Sequence, residues 1–231
     1  MSAPLTLYSG PLSMFGAKAE IAAREKGLRF ELVMVPFAMA TLYSPKHPEV
    51  ERINPKRQVP VLVHRSNGGP DLELFDSTQI FEYLEDLAPD PALWPRETAA
   101  RARARQLELL SDEIYFPHII RLMGLQQTPD DPAAIAARGA AAGFYGRIEG
   151  LLADGRAWLA GADYTYADIA FFMACIFGDR MGAPIPDQAA HLIAWRTRMS
   201  ERPAVRQVAG AMGRWLLGQH RPLPAFVQAM V

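Results

Sequence analysis

The pattern of apolar and polar positions divides the chain into two parts of different character. Up to residue 87, short β-branched and aliphatic runs alternate with helical stripes and with turns rich in Gly and Pro. From residue 97 onward, apolar residues recur only at helical spacing. The segment between them is rich in proline and has no period, which is typical of a linker. We therefore predict an α/β domain over 1–87, a linker over 88–96 and an all-helical domain over 97–231.

The first three elements predict a βαβ unit. A strand over residues 5–8 leads into a helix that begins at Ser13 or Met14 and stops at Gly27, and a second strand covers residues 29–35. Strands joined in this way are parallel, with a right-handed crossover. Four polar side chains of the helix are expected to face solvent or a partner: Lys18, Glu20, Arg24 and Glu25.

Residues 59–64 and 72–75 predict an antiparallel hairpin with a turn at Asn67, Gly68 and Gly69, followed by a helix. The segment before the hairpin, residues 36–52, has no clear pattern. Pro60 interrupts the first apolar run, and proline belongs at a strand start or edge because it cannot donate to a ladder. Val59 therefore keeps a backbone N–H and C=O that are available to a peptide-like ligand.

The helix after the hairpin begins at Asp76 and Ser77, and this start has two interpretations. Asp76 with Gln79 fits a plain capping box, which capping chemistry alone favours. The same helix start would also bind a carboxylate, because free N–H groups and the helix dipole attract anions. Gln58 places a neutral amide donor beside the proline turn.

The second part predicts helices only. Residues 97–125 form one long helix or two, in which Pro117 introduces a kink or begins the second half. Thr165 and Asp168 form a capping box before an entirely apolar run, so this helix should lie in the core. The tail after Gly218 is expected to be extended. Further helices are predicted at 132–152, 165–177, 187–199 and 204–217.

Composition excludes several classes of protein. The 231 residues carry a net charge of −1 and no basic block, which argues against nucleic-acid binding. No apolar run has membrane-spanning length, and the N-terminus lacks the features of a signal peptide. A single cysteine, Cys175, excludes internal disulfides, and the five histidines lack metal-ligand spacing. We expect a cytoplasmic protein without a metal.

Four stretches, in this order, resemble the glutathione transferases of the bacterial soluble type. They are LYSGPLSMFGAKAEIAAREKGL, NPKRQVPVLV, LFDSTQIFEYLE and DYTYADIAFF. The resemblance extends over nearly the whole chain. It implies a thioredoxin-like domain followed by a helical bundle, a cis peptide bond before Pro60, and a homodimer that acts in detoxification.

The resemblance also implies contacts to glutathione, from Lys46, Gln58, Val59, Pro60, Asp76 and Ser77. The backbone of Val59 would pair with the cysteinyl part. Asp76 would hold the γ-glutamyl ammonium, and Ser77 with the helix N-terminus would hold its carboxylate. Gln58, helped by Lys46, would meet the glycyl carboxylate. Aspartate stands at position 76, where the family more often has glutamate, and this shortens the reach by one methylene.

The family activates the glutathione thiol with a hydroxyl or thiol that follows the first strand. Ser13 has the spacing to Gly27 of the Ser-type and Cys-type members, and we predict it as the donor to the sulfur. A plain helix N-cap is the alternative for Ser13. Tyr8 is the rival donor and Ser9 a weaker one. No Cys-x-x-Cys is present, so a dithiol redox cycle is excluded.

The resemblance implies an apolar second-substrate pocket between the domains, although its aromatic residues fit a core role equally well. The predicted lining is Leu12, Met14, Phe15, Tyr115, Phe116, His118, Ile119 and Leu122. The first functional hypothesis is a glutathione transferase, in which the thiolate attacks a small hydrophobic electrophile. The second is a non-catalytic glutathione-binding or chaperone-like protein of the same fold.

Overall fold

The structure, a computed structural model, describes residues 5–66 and 68–231. The chain forms two compact units, Met1–Ala92 and Leu93–Val231. Their boundary falls inside the segment 88–96 that the sequence predicts as a linker. Asn67 of the predicted hairpin turn lies outside the described residues, as do the first four residues of the N-terminal segment in which we expect no signal peptide.

The first unit contains a four-stranded mixed sheet, built from the predicted parallel βαβ unit and the predicted antiparallel hairpin. Its strands are β1 (Leu5–Ser9), β2 (Phe30–Met34), β3 (Val61–His64) and β4 (Leu72–Phe75). They lie in the order β2-β1-β3-β4. β1 and β2 are parallel, whereas β3 runs antiparallel to both β1 and β4. The thioredoxin-like fold class is thereby confirmed, with a βαβ unit followed by a hairpin.

Helices cover both faces of this sheet. They are α1 (Met14–Glu25), α2 (Pro48–Ile53) and α3 (Ser77–Leu87). Leu5, Leu7 and Leu62 of the strands share one core cluster with residues of α1 and α3. Because successive side chains of a strand point to opposite faces, Tyr8 joins a second cluster, which includes Val50 of α2. Helix α2 lies in the segment without a clear pattern and was not predicted.

Two polar residues of α1 correct the expectation that its polar side chains face solvent. Lys18 is 0% exposed and Glu20 is 4% exposed. The Glu20 carboxylate accepts hydrogen bonds from Arg24 Nε at 2.9 Å and Nη2 at 2.8 Å. Burial raises the pKa of Glu20, and the Arg24 guanidinium opposes that rise.

The second unit is entirely helical, as predicted. Pro117 lies in the first turn of α5 (Phe116–Gly124), which follows directly on the π-helical segment Leu110–Tyr115. It therefore begins the second half of a continuous helical stretch, which is one of the two predicted alternatives. The tail after Gly218 contains a short helix, α10 (Ala225–Gln228), and is not wholly extended, which corrects the prediction. Within residues 5–66 and 68–231, no helix combines the length and the apolar composition that a membrane span requires. The helices are α4 (Thr98–Leu109), a π-helical segment (Leu110–Tyr115), α5 (Phe116–Gly124), α6 (Pro132–Leu152), α7 (Tyr166–Arg180), α8 (Ala190–Glu201), α9 (Pro203–Gly218) and α10 (Ala225–Gln228).

Helix α7 forms the centre of this unit, as its apolar sequence predicts. Every residue from Tyr166 to Gly178 is buried. Phe171 packs against the rings of Tyr115, Phe144 and Trp195. Cys175 is buried here, and burial raises the pKa of its thiol, which makes it unreactive.

Candidate functional site

Three segments that the sequence singles out meet at one end of the sheet in the first unit. Tyr8 pairs with Val61, and Val61 pairs with Phe75. Pro60 comes just before Val61 and Asp76 just after Phe75, so antiparallel pairing puts both at the end where β1 turns into α1. The strand register therefore gathers the predicted thiol donor, the proline turn and the start of α3.

Ser13 is the N-cap of α1. Its backbone is extended, and its Oγ accepts a hydrogen bond from Gly16 N at 2.9 Å. A serine hydroxyl offers one donor and two acceptor sites, so the cap uses one acceptor and leaves the O–H. An anion at this position gains from the N-terminal end of a 12-residue helix. Capping the helix and donating to a thiolate are thus compatible roles for Ser13.

Tyr8, the rival donor, lies on the face of the sheet that α2 covers. Its ring packs against His47, the N-cap of α2, with ring centroids 5.2 Å apart. Burial raises the pKa of Tyr8, with a smaller contribution from the Glu49 carboxylate. Ser13 and Tyr8 therefore belong to different environments, and the choice of Ser13 stays a prediction.

The peptide bond between Val59 and Pro60 is cis, which confirms what the resemblance implies. Val59 precedes β3 and takes no part in the pairing of that strand. The preceding loop depends on Asn54, a buried residue that sequence reasoning missed. Asn54 Nδ2 donates to the Gln58 carbonyl at 2.6 Å, and its Oδ1 accepts from Lys56 N at 2.9 Å. Asn54 thereby fixes the backbone that presents the exposed Gln58 side chain.

Asp76 caps α3 and is exposed. Its Oδ1 accepts from Thr78 N at 3.0 Å and from Gln79 N at 3.3 Å. Among the described residues, the structure gives Oδ2 no partner. The backbone φ of Asp76 is +74°, a conformation that non-glycine residues rarely adopt and that recurs at ligand sites. The cap is confirmed, and the role of Asp76 and the buried Ser77 in ligand binding stays a prediction.

Lys46 is exposed, and its Nζ lies 6.0 Å from the centroid of the Tyr43 ring. The Tyr43 hydroxyl is buried against Gly10, where a Cβ would lie 2.3 Å from that oxygen. Gly10 thus permits a close approach between Tyr43 and the turn that leads to Ser13. Neither residue stood out in the sequence, because the contact joins segments that are distant along the chain.

The residues predicted to line a second-substrate pocket occupy different settings. In the first unit, Leu12 and Phe15 are half-buried and Met14 is buried. In the second unit His118 is half-buried, and Tyr115 has its hydroxyl hydrogen-bonded to that of Tyr145, a contact typical of the core. The pocket stays a prediction. Three further residues of this set are buried: Phe116, Ile119 and Leu122.

The parts of the chain that the structure describes contain no group of three or more His, Cys, Asp or Glu residues suited to a metal ion. The groups that lie at this end of the sheet are the hydroxyls of Ser13 and Ser77, backbone amides, and the exposed carboxylate of Asp76. Such groups suit a zwitterionic peptide ligand with several hydrogen-bonding groups.

The chain is similar to several known proteins. FtsZ-localized protein A from Caulobacter vibrioides is 30% identical over 233 residues, which cover 93% of this chain and 94% of that relative. A stringent starvation protein A homolog from Coxiella burnetii is 37% identical over 105 residues, 45% of this chain and 44% of the relative, so less than half of that relative is matched.

A solved glutathione transferase family member from Pseudomonas fluorescens, with two glutathione bound, has a TM-score of 0.75 at 26% identity. The match covers 89% of this chain and 92% of that one. Residues 12–87 match the family described as the glutathione S-transferase N-terminal domain, and residues 112–203 match its C-terminal domain. With both domains present in order, the chain belongs to the glutathione S-transferase family.

Proposed function

We propose that this protein is a glutathione transferase in which Ser13 activates the glutathione thiol. The observation that carries the proposal is the position of Ser13. It begins α1 at the sheet end that also holds Pro60 and Asp76, and its O–H is not used by the cap. The glutathione bound to the Pseudomonas fluorescens relative supports the choice of ligand.

The site offers a complementary group to each part of the tripeptide. The backbone of Val59, outside the ladder, pairs with the cysteinyl residue. The exposed Asp76 carboxylate, with Oδ1 engaged by the cap, keeps Oδ2 for the γ-glutamyl ammonium. Ser77 and the N-terminal N–H groups of α3 bind the γ-glutamyl carboxylate. Gln58 and Lys46 bind the glycyl carboxylate at the exposed end.

Activation requires the sulfur to lose its proton near neutral pH. A free thiol has a pKa of about 8.5, so most of it is protonated. A hydrogen bond from the Ser13 O–H and the N-terminal dipole of α1 both favour the thiolate and lower that pKa. The released proton passes to solvent. The sulfur lone pair then forms a bond to the electrophilic atom, and the leaving group departs with its bonding electrons.

The electrophile is a small hydrophobic molecule, in keeping with the apolar predicted lining. The proposal includes a homodimer in the cytoplasm. The single buried cysteine supports this location, since it excludes the intrachain disulfides that many secreted proteins carry.

Replacement of Ser13 tests the proposal. Ser13→Ala should cut turnover with an activated aryl halide by about tenfold to a thousandfold, since a donor to a developing anion has this order of effect. The pKa of the bound thiol, read from thiolate absorbance against pH, should rise. The dissociation constant of glutathione should change little, because most contacts lie elsewhere. Ser13→Gly should lower turnover and raise the thiol pKa as Ser13→Ala does. It should also preserve the start of the helix, because glycine is an acceptable N-cap.

Tyr8→Phe is the matched control. It removes one hydroxyl from the rival donor and should have a mild effect on both turnover and thiol pKa. If Tyr8→Phe reduced turnover more than Ser13→Ala, Ser13 would be only a helix cap and the proposed donor would be wrong.

A second candidate is glutathione binding without catalysis. The observation that favours it is the 30% identity, over 93% of the chain, to a relative whose name refers to localisation by FtsZ and not to a transferase. Glutathione binding by calorimetry, together with absent thiolate at neutral pH and absent turnover, would establish this role and reject the transferase.

A further inference from the structure

Ser9 is a buried hydroxyl without a partner. It ends β1 and is 1% exposed, and its Oγ has no hydrogen-bond partner within residues 5–66 and 68–231. Folded proteins satisfy nearly all buried hydroxyls, so an exception needs an explanation. The proposed roles of Ser13, Val59 and Asp76 do not use it.

Ser9 lies beside Ser13, across the Cα of Gly16. A Cβ on Gly16 would lie 2.1 Å from Ser9 Oγ and 3.1 Å from Ser13 Oγ. The two hydroxyl oxygens therefore flank one point, which stays open because residue 16 is glycine. Gly16 also donates its N–H to Ser13 Oγ, so the three residues form one compact group at the start of α1.

The hydrogen-bonding capacity of this group defines a role for Ser9. Ser13 Oγ has two acceptor sites, and Gly16 N occupies one of them. If the Ser13 O–H donates to a sulfur, the second acceptor site is left, and Ser9 carries the neighbouring O–H. Ser9 Oγ is inaccessible from outside the protein, so it does not contact the sulfur itself.

We propose that Ser9 is a positioning residue for Ser13, an inference that rests on the proposed transferase function. In the described rotamer the Ser9 hydroxyl makes no hydrogen bond within the described part of the chain. When glutathione binds and the Ser13 O–H donates to its sulfur, the Ser9 side chain turns about its Cα–Cβ bond so that its O–H donates to Ser13 Oγ. The chain of two hydrogen bonds orients the Ser13 hydroxyl and polarises it, which strengthens its bond to the thiolate. Ser9 thereby lowers the thiol pKa without touching glutathione.

Ser9→Ala is the first test, with glutathione and an activated aryl halide as probes. The pKa of the bound thiol should rise and kcat should fall about threefold to tenfold, whereas KM for glutathione should stay close to that of the parent. Ser111→Ala is the matched control, because Ser111 of the second unit is also fully buried without a hydrogen-bond partner. It should leave thiol pKa and kcat unchanged.

Gly16→Ala separates packing from hydrogen bonding. The added Cβ would collide with Ser9 Oγ, so this variant should melt at a lower temperature than the parent. In the Ser9→Ala/Gly16→Ala double variant the colliding oxygen is gone, and the melting temperature should recover. The thiol pKa of the double variant should stay as high as in Ser9→Ala. If it returned to the parent value with the melting temperature, Ser9 would matter only for packing and the inference would be overturned.

Ser13→Ala, measured in parallel, distinguishes a failure of the proposed role of Ser9 from a failure of the proposed transferase function. A raised thiol pKa in Ser13→Ala with a parental value in Ser9→Ala would overturn the role of Ser9 and leave the proposed function standing. An identical thiol pKa in Ser13→Ala and the parent would overturn both.

Discussion

Asp168 of the second unit and Asp76 of the first unit both lie at the start of a helix, and they are held in opposite ways. Asp168, in the first turn of α7, is 0% exposed and accepts four hydrogen bonds. Asp76, the N-cap of α3, is exposed and accepts two, both on Oδ1. The donors to Asp168 are Leu159 N at 2.9 Å, Thr165 N at 2.9 Å, Thr165 Oγ1 at 3.0 Å and Trp195 Nε1 at 2.8 Å.

The two aspartates also differ in how many segments of the chain they connect and in their backbone conformation. Burial raises the pKa of Asp168, and its hydrogen bonds oppose that rise. Its four donors come from the loop and N-cap before α7 and from α8, so one carboxylate of α7 joins three segments. Asp76 instead has a φ of +74° and binds only its own helix. The comparison indicates that a saturated, buried acid stabilises a fold, whereas an exposed, incompletely used acid is suited to a ligand.

Asp168→Ala should have the largest effect on stability. Removal of the carboxylate leaves four donors without their acceptor, and each buried unsatisfied group costs about 1–3 kcal/mol. With partial relaxation we expect a loss of about 3–5 kcal/mol in the free energy of unfolding, measured by urea denaturation. Asp76→Ala, the matched control, should cost only about 0.5–2 kcal/mol as a lost cap. Equal losses in the two variants would contradict the comparison.

Asp76→Asn should have the largest effect on binding. Asparagine is as good an N-cap as aspartate and tolerates a positive φ, so stability should change by less than about 0.5 kcal/mol. The variant loses the charge that the γ-glutamyl ammonium needs. Since hydrogen bonds to charged groups contribute about 1.5–3 kcal/mol, the dissociation constant of glutathione should rise about tenfold to a hundredfold by calorimetry. Unchanged affinity would leave Asp76 as a cap only.

The fold was predictable wherever a segment was long enough to show its period. The strand and helix periods, Ser13 as cap and Gly27 as stop predicted the βαβ unit. Helices α2 and α10 were missed because they have six and four residues, too few for a helical stripe. The spacing of apolar residues shows which face of a helix is buried, but not how far other segments cover the remaining faces. The burial of Lys18 and Glu20 was therefore not predicted.

The site was predictable where its chemistry is local. Val59 beside a proline, and Asp76 before a helix, are signals carried by neighbouring residues. The Asn54 amide and the close approach of Ser9 to Gly16 depend on distances between a loop, a strand end and a helix start. Those distances follow from packing, and no pattern of residue types along the chain contains them.

Thr165→Val should have the smallest effect and refines the account of Asp168. Valine keeps the shape of threonine but removes the O–H that donates to Asp168 Oδ2, while the backbone N–H of residue 165 still donates. We expect a loss of about 0.5–1.5 kcal/mol in the free energy of unfolding, the usual contribution of one hydrogen bond. Thr197→Val, which removes an exposed hydroxyl bonded only to the Ile193 carbonyl, should have less effect.

The pH dependence of that loss gives the sharper measurement. The Thr165 hydroxyl lowers the pKa of Asp168 against the larger effect of burial, so its removal should raise that pKa further. An acid with a raised pKa in the folded state binds its proton more tightly there, and stability falls as pH rises from the unfolded to the folded pKa. This fall should be larger in Thr165→Val, so its deficit should be fully present above the folded pKa of Asp168 and shrink below it. A deficit that is constant with pH would show that Thr165 does not act through the Asp168 carboxylate.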